Sequence, residues 1–346
     1  MINKIYFKLK SFFYKKKKLN DINFDKFLVF SNTALGDTIL STPAIKSLKK
    51  SFPNSKIIAV LNPKYVDLFD DFEYIDEIIK YDGKDKTFFK TLKQIKKYNP
   101  NMALIFHSNI PQDVKLCVSA NIPYILKHHT TSKLKKYLSF NFDKKNQHVI
   151  EDRLELVKFI GGKKIDKIME IGKLNDKKLK EKYKKYNDYI GFQIGAADIF
   201  KMWPIENFIE LAKRLNEKIV ITGIKSEYEL AQKIVKECQN VENLCGKLSI
   251  KELPYLINNL KVLVTNDTGT MHLAVALKTP TISLFSPTNA SLIGPYQDLK
   301  IHKVIQKDGK FITKLPKKKR DDSAMKLIKV DEVIKAYKEL NENLSL

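Results

Sequence analysis

The chain has 346 residues, enough for two α/β domains with separate cores. Its 63 Lys and Arg against 39 Asp and Glu give a net charge of +24, a field that favours anionic partners such as phosphorylated substrates, an acidic membrane face or nucleic acid. No run of about 18 apolar residues occurs, which excludes a membrane-spanning helix, and three scattered cysteines, Cys117, Cys238 and Cys245, fit neither a disulfide framework nor a metal-ligand spacing.

Residues 1–26 form a basic aromatic segment. Lys4, Lys8, Lys10, Lys15, Lys16, Lys17, Lys18 and Lys26 are interleaved with Ile5, Tyr6, Phe7, Leu9, Phe12, Phe13 and Tyr14. Interfacial segments use this mixture on anionic leaflets; the competing reading is a poorly ordered basic tail. The apolar cluster is short and broken by lysines, so no secretory signal is expected.

An apolar strand at 27–30 then runs into the small polar loop Ser31-Asn32-Thr33-Ala34-Leu35-Gly36-Asp37 and a helix at 39–50. Gly36 permits a tight turn. Asp37 either caps that helix or presents a carboxylate at the end of a parallel strand, where ligands of open α/β sheets bind. Strands at 56–61, 102–107 and 121–126 alternate with helices at 65–69 and 88–98, and a further helix is expected at 148–160. Alternation of this kind predicts a doubly wound parallel sheet over 27–170. Lysine-rich 163–187 lacks apolar periodicity, which places an interdomain linker at 171–188.

A second sheet is expected over 189–330, with strands at 189–194, 218–222, 242–244, 262–264 and 281–285. Helices fall at 204–216, 227–239, 250–258 and after Gly269, with a last helix at 331–346. The loop after the strand at 189–194 carries Gly195 among small residues, then Lys201, then Trp203-Pro204 opening a helix. A cation at a strand end suits a diphosphate leaving group, although a surface lysine is the commoner case in so basic a chain. Thr222 ends a strand and Glu227 opens the next helix, where an acid suits ribose hydroxyls or the helix dipole equally. The stretch Asn266-Asp267-Thr268-Gly269-Thr270-Met271-His272-Leu273-Ala274 reads as strand, turn and helix. Backbone N–H groups at such a turn converge on an anion, and Gly269 leaves room for it. Neither zinc-finger spacing nor an RRM-like aromatic motif is present, so no specific nucleic-acid partner is expected.

Together these segments resemble the family-nine glycosyltransferases, the ADP-heptose:lipopolysaccharide heptosyltransferase group. The resemblance rests on Leu35-Gly36-Asp37 with Thr42-Pro43-Ala44, on Lys201-Met202-Trp203-Pro204, and on Asp267-Thr268-Gly269 with Met271-His272-Leu273-Ala274. His148, Glu151-Asp152-Arg153 and Pro287-Thr288 reinforce it. It implies the GT-B fold, two Rossmann-like domains facing a cleft, with the acceptor on the N-terminal domain and the donor on the C-terminal one. It implies an inverting transfer that needs no metal or cofactor, from an ADP-sugar to an anionic glycolipid such as a lipopolysaccharide core. The enzyme would work in the cytoplasm, peripheral to the inner face of the inner membrane.

In that scheme Asp37 is the base and Lys201 stabilises the departing diphosphate. Gly36 and Thr38 belong to the acceptor side. The donor side comprises Gly195, Thr222, Glu227, Asp267, Thr268, Gly269, Thr270, Met271 and His272, with His272 either beneath the phosphate loop or packed in the core. An ordinary Asp has a pKa of about 4, low for a base at neutral pH. Either burial raises it, or Asp37 orients the acceptor hydroxyl while an oxocarbenium-like state forms. The chain departs from the family pattern at Asn121, at Phe285-Ser286 and at Ser323-Ala324-Met325. Other readings are a sugar-nucleotide epimerase or hydrolase of the same fold, and a non-catalytic module that binds polyanions at a membrane.

Overall fold

Two parallel six-stranded sheets organise the chain. The computed structural model describes residues 2–17, 25–108, 111–128, 130, 132–143 and 145–345, in two compact units, Met1–Lys173 and Leu174–Leu346. Of the N-terminal segment 1–26, Met1 and residues 18–24, Lys18 among them, lie outside the described residues.

The first unit contains β1 (Lys26–Ser31), β2 (Lys56–Leu61), β3 (Glu77–Lys80), β4 (Met102–His107), β5 (Tyr124–Lys127) and β6 (Phe140–Asn141). Its helices are α1 (Ile2–Phe13), α2 (Leu35–Leu40), α3 (Thr42–Ser51), α4 (Phe88–Tyr98), α5 (Gln112–Ser119) and α6 (Val149–Phe159). Phe27, Leu28, Val29 and Phe30 are wholly buried, as are the strand residues 57–61 of β2 and 102–104 of β4. Continuous apolar runs of this sort suit strands covered on both faces. The order β3-β2-β1-β4-β5-β6 reverses between β1 and β4, which opens a crevice at their carboxyl ends.

The second unit repeats the plan. It contains β7 (Ile190–Gln193), β8 (Ile219–Thr222), β9 (Val241–Asn243), β10 (Val262–Asn266), β11 (Thr281–Phe285) and β12 (His302–Gln306). The helices are α7 (Lys177–Tyr183), α8 (Ile205–Leu215), α9 (Tyr228–Glu237), α10 (Leu253–Asn259), α11 (Gly269–Ala276), α12 (Ala290–Ile293), α13 (Phe311–Lys314) and α14 (Val330–Ser345). The order β12-β11-β10-β7-β8-β9 reverses between β7 and β10.

Several elements differ from expectation. The helix expected at 39–50 is two helices, because Pro43 cannot continue a hydrogen-bonded ladder and instead starts α3. The strand expected at 121–126 begins at Tyr124; Asn121 sits in the left-handed region with φ 60° and makes the turn before it. The charged stretch expected as a linker at 171–188 holds α7, whose first turn is capped by the Asp176 carboxylate accepting from the Lys178 and Leu179 N–H groups. Tyr183 and Tyr186 are buried in the second unit. Likewise α14 is no detached tail, since Val333, Ala336, Tyr337 and Leu340 fill that unit's core.

Candidate active site

In the first unit the crevice is built from the ends of β1 and β4. Asp37 lies in the first turn of α2, whose N-cap is Ala34, so the capping reading of Asp37 does not hold. Its carboxylate instead accepts from Thr33 Oγ1 at 3.2 Å and from Arg153 Nη2 at 3.3 Å. Arg153, on α6, also donates from Nη1 to the Asp37 carbonyl at 2.8 Å. That carbonyl is open to it because the Ser41 N–H bonds Thr38 O rather than Asp37 O, where α2 breaks. The Ser41 hydroxyl takes a second place on the same oxygen at 3.0 Å.

Arg153 is almost fully buried, while the Asp37 side chain keeps 29% exposure. A fixed guanidinium therefore backs a carboxylate that still faces outward. His107, the last residue of β4, brings Nδ1 to 2.6 Å from Thr33 Oγ1 and 3.5 Å from Asp37 Oδ2. Burial pushes the His107 pKa below its ordinary value, with Asp37 opposing the shift and Arg153 adding to it. When the one Thr33 hydroxyl proton goes to Asp37, His107 Nδ1–H is the donor to Thr33.

A cavity of about 260 Å³ opens beside Arg153 and His107, with Ser108, Lys127, His128 and Asp152 among its walls. Lys127 is buried in an ion pair with Asp113. Among the described residues, His128, Asp152 and Glu155 bring three potential ligand atoms within 4.8 Å of one another. Gln147 already donates to Asp152 at 2.8 Å and Lys145 pairs with Glu155.

The two residues expected on the acceptor side lie inside the turn. Thr38 is fully buried, and its hydroxyl is spent on Ser31 O at 3.2 Å and Ala34 O at 3.0 Å. Gly36 is buried with it. Both shape the turn that carries Asp37.

In the second unit the crevice lies at the ends of β7 and β10. Lys201 Nζ donates to Asp267 Oδ2 at 2.6 Å, and Thr288 Oγ1 donates to the same oxygen at 2.9 Å. Asp267 is nearly buried and Lys201 partly exposed. Asn266, fully buried, ties the loop down: Oδ1 accepts from Trp203 N at 3.0 Å and Nδ2 donates to Ile194 O at 2.9 Å. Trp203 Nε1 donates to Ile328 O at 3.0 Å. Phe200, in the same loop, lies under the Arg320 guanidinium at 5.3 Å.

Immediately after β10, Thr268 is the N-cap of α11 and makes no side-chain bond to the first turn. The N–H groups of Gly269, Thr270 and Met271 form that turn, the arrangement that binds anions. Met271 contributes through its backbone at most, since its side chain is fully buried. His272 is also buried, at 4% exposure, within α11.

On the other side of β7, Glu227 reaches back over the loop. Gly195 and Gly223 make this possible: a Cβ on Gly195 would stand 1.8 Å from Glu227 Oε1, and one on Gly223 2.2 Å from Oε2. Glu227 Oε2 accepts from Ile224 N at 3.0 Å, and the Gln193 side chain also bonds the carboxylate. Burial raises the Glu227 pKa, against these two hydrogen bonds. Thr222, expected on the donor surface, is wholly buried and instead donates to Gln193 Oε1 at 3.0 Å. It fixes the amide that fixes Glu227.

Comparison with known proteins gives a consistent result. A family model described as glycosyltransferase family 9 (heptosyltransferase) matches residues 117–324. The chain is 28% identical over 293 residues to lipooligosaccharide heptosyltransferase 2 of Campylobacter jejuni, covering 79% of this chain and 85% of the relative. Among solved structures, a family 9 glycosyl transferase from Veillonella parvula superposes with a TM-score of 0.77 at 23% identity, over 93% of this chain and 99% of the other. The E. coli heptosyltransferase WaaC with ADP gives a TM-score of 0.66 at 20% identity, over 91% and 99%.

Proposed function

Because the chain belongs to glycosyltransferase family 9, whose neighbours share the GT-B fold, we propose that it transfers a heptose from ADP-heptose to a lipopolysaccharide core or related surface glycolipid, inverting the anomeric centre. The observation that carries this reading is Asp37, an outward-facing carboxylate pinned by Arg153 and Thr33 where the first sheet reverses. Asp37 takes the proton of an acceptor hydroxyl. The oxygen attacks the anomeric carbon as its bond to the diphosphate breaks, and the electron pair leaves with the phosphate oxygen. Lys201 and the first-turn N–H groups of α11 meet the charge that develops there. Asp267 orients the sugar and, before donor arrives, keeps Lys201 in place. Glu227 accepts from the ribose hydroxyls. The cavity beside Arg153 and His107 takes the acceptor. No metal enters the scheme, because lysine and backbone dipoles supply the countercharge.

The donor assignment draws on the ADP held by the E. coli neighbour. A cytoplasmic site of action at the inner face of an anionic membrane fits the net charge of +24 and an acceptor carried on lipid. No described helix is long and apolar enough to cross a membrane.

The test is transfer from ADP-heptose to a lipid-A-core acceptor in EDTA, with ADP release and the anomeric configuration of the product both measured. Acceptor-dependent ADP release and an inverted product are expected, with Asp37→Asn slowed by about 10²- to 10⁴-fold. ADP release without acceptor would favour a hydrolase or epimerase. Wild-type turnover by Asp37→Asn would remove Asp37 from the chemistry, and loss in EDTA restored by a divalent cation would bring a metal in.

A further inference from the structure

The helix α1 has two unlike faces. Tyr6, Phe7 and Tyr14 pack against the core of the first unit. Tyr14 Oη donates to Ile122 O at 2.8 Å, Phe7 meets Tyr137 edge-on at 5.7 Å and Tyr6 meets Phe89 at 5.4 Å. Asn3 Nδ2 donates to Asp85 O at 2.8 Å and Lys16 Nζ to Leu138 O at 2.9 Å. The helix is thereby fixed in rotation as well as position.

Its other face carries Ile5, Leu9, Phe12 and Phe13, spaced as one stripe of a helix. They are 55%, 62%, 84% and 76% exposed, and the two phenylalanines are the most exposed large apolar side chains among the described residues. Exposed lysines 4, 8, 10, 15 and 17 flank the stripe, and residues 2–17 include no acidic side chain. Contiguous exposed apolar surface on a folded protein marks an interaction face.

From this arrangement we propose that α1 docks the protein on an anionic bilayer, with Leu9, Phe12 and Phe13 entering the headgroup boundary and the flanking lysines meeting lipid phosphates. An apolar ridge rimmed by cations matches an anionic leaflet. A second copy would bring an equally cationic ridge against the first, and like charges oppose that pairing. The inference deepens the reading of a lipid-borne acceptor and rests on it for its purpose, while vesicle binding itself needs no transfer.

The experiment is co-sedimentation of the full chain with phosphatidylcholine vesicles, with and without phosphatidylglycerol, alongside Leu9→Ser/Phe12→Ser/Phe13→Ser. These side chains point to solvent, so the variant keeps its fold, checked by its melting curve. The wild type is expected to bind only the anionic vesicles, less at high salt, and the variant to bind about tenfold or more weakly. Transfer to a water-soluble acceptor fragment should stay unchanged in the variant, whereas transfer to vesicle-borne acceptor should fall. Equal binding of wild type and variant, or equal binding to both vesicle types, overturns the proposal. So does a concentration-dependent dimer in ultracentrifugation that the triple variant abolishes, which would make this face a contact between copies. Should transfer fail altogether while anionic binding persists, the docking stands and the catalytic reading falls.

Discussion

Replacing Gly195 by Ala tests the donor half of the site without replacing a charged group. The new Cβ would lie 1.8 Å from Glu227 Oε1, 2.1 Å from Cδ and 2.6 Å from Oε2, where ordinary contact begins near 3.4 Å. Those atoms are the far end of a flexible side chain, so the backbone need not move and the fold survives. The carboxylate must leave its seat, giving up the Ile224 N–H and the Gln193 amide. A carboxylate displaced in this way no longer meets the ribose, and each hydrogen bond to a charged group is worth about 1.5–3 kcal/mol. ADP affinity should therefore fall by about 10- to 100-fold, read by isothermal titration. In the wild type, affinity should also decline on acidification sooner than an ordinary glutamate would allow, because burial raises the Glu227 pKa; expulsion into water removes that shift. If the alanine acts through Glu227, Gly195→Ala/Glu227→Gln will bind no more weakly than the worse single variant. Wild-type affinity in Gly195→Ala, or fully additive losses, would refute the assignment of Glu227 to the nucleotide.

Two further outcomes are expected. Arg153→Gln should lower kcat far more than it changes KM, because it takes the guanidinium from both the carbonyl and the carboxylate of Asp37, and it should cost about 1–3 kcal/mol of stability in urea unfolding; an unchanged kcat would show that Asp37 needs no such clamp. The buried His302, with Nδ1 3.0 Å from Thr281 Oγ1, has its pKa lowered to about 4 by burial. The unfolded chain, at about 6.5, binds the proton first, so this contribution is present above pH 6.5 and is lost as the pH falls towards 4, to a total of about 3 kcal/mol. His302→Gln should flatten the wild-type loss of stability across that window, and parallel pH profiles for the two proteins would contradict it.

The sequence announced the strands that are buried on both faces, because 27–30, 56–61 and 262–264 are unbroken apolar runs with small or polar loops behind them. Three of the four edge strands escaped it. Glu77–Lys80, Phe140–Asn141 and His302–Gln306 are short and partly exposed, so they carry polar residues that blur the signal of a strand. At the site, the segments bearing Asp37, Lys201, Glu227 and Asp267 were legible because glycine and small residues at a strand end have a local reason to be there. The partners were not. Arg153 reaches Asp37 across 116 positions and His107 reaches Thr33 across 74, distances over which no local pattern operates. The segment Glu151-Asp152-Arg153 did stand out by resemblance, yet nothing in it says that Arg153 alone turns inward. The side chains of Thr38, Thr222 and Met271 turn inward for the converse reason: a residue adjacent to a functional one along the chain points elsewhere, the two threonines into buried hydrogen bonds and Met271 into the core.

The chain's one tryptophan sits two residues beyond Lys201, at 2% exposure, with its indole N–H bonded to Ile328 O and its backbone N–H to Asn266. No other indole contributes to the intrinsic emission. Light selectively excited and emitted by indole therefore comes from a single place, the hinge between the Lys201 loop and α8. Occupation of that loop can be followed optically in the unlabelled protein.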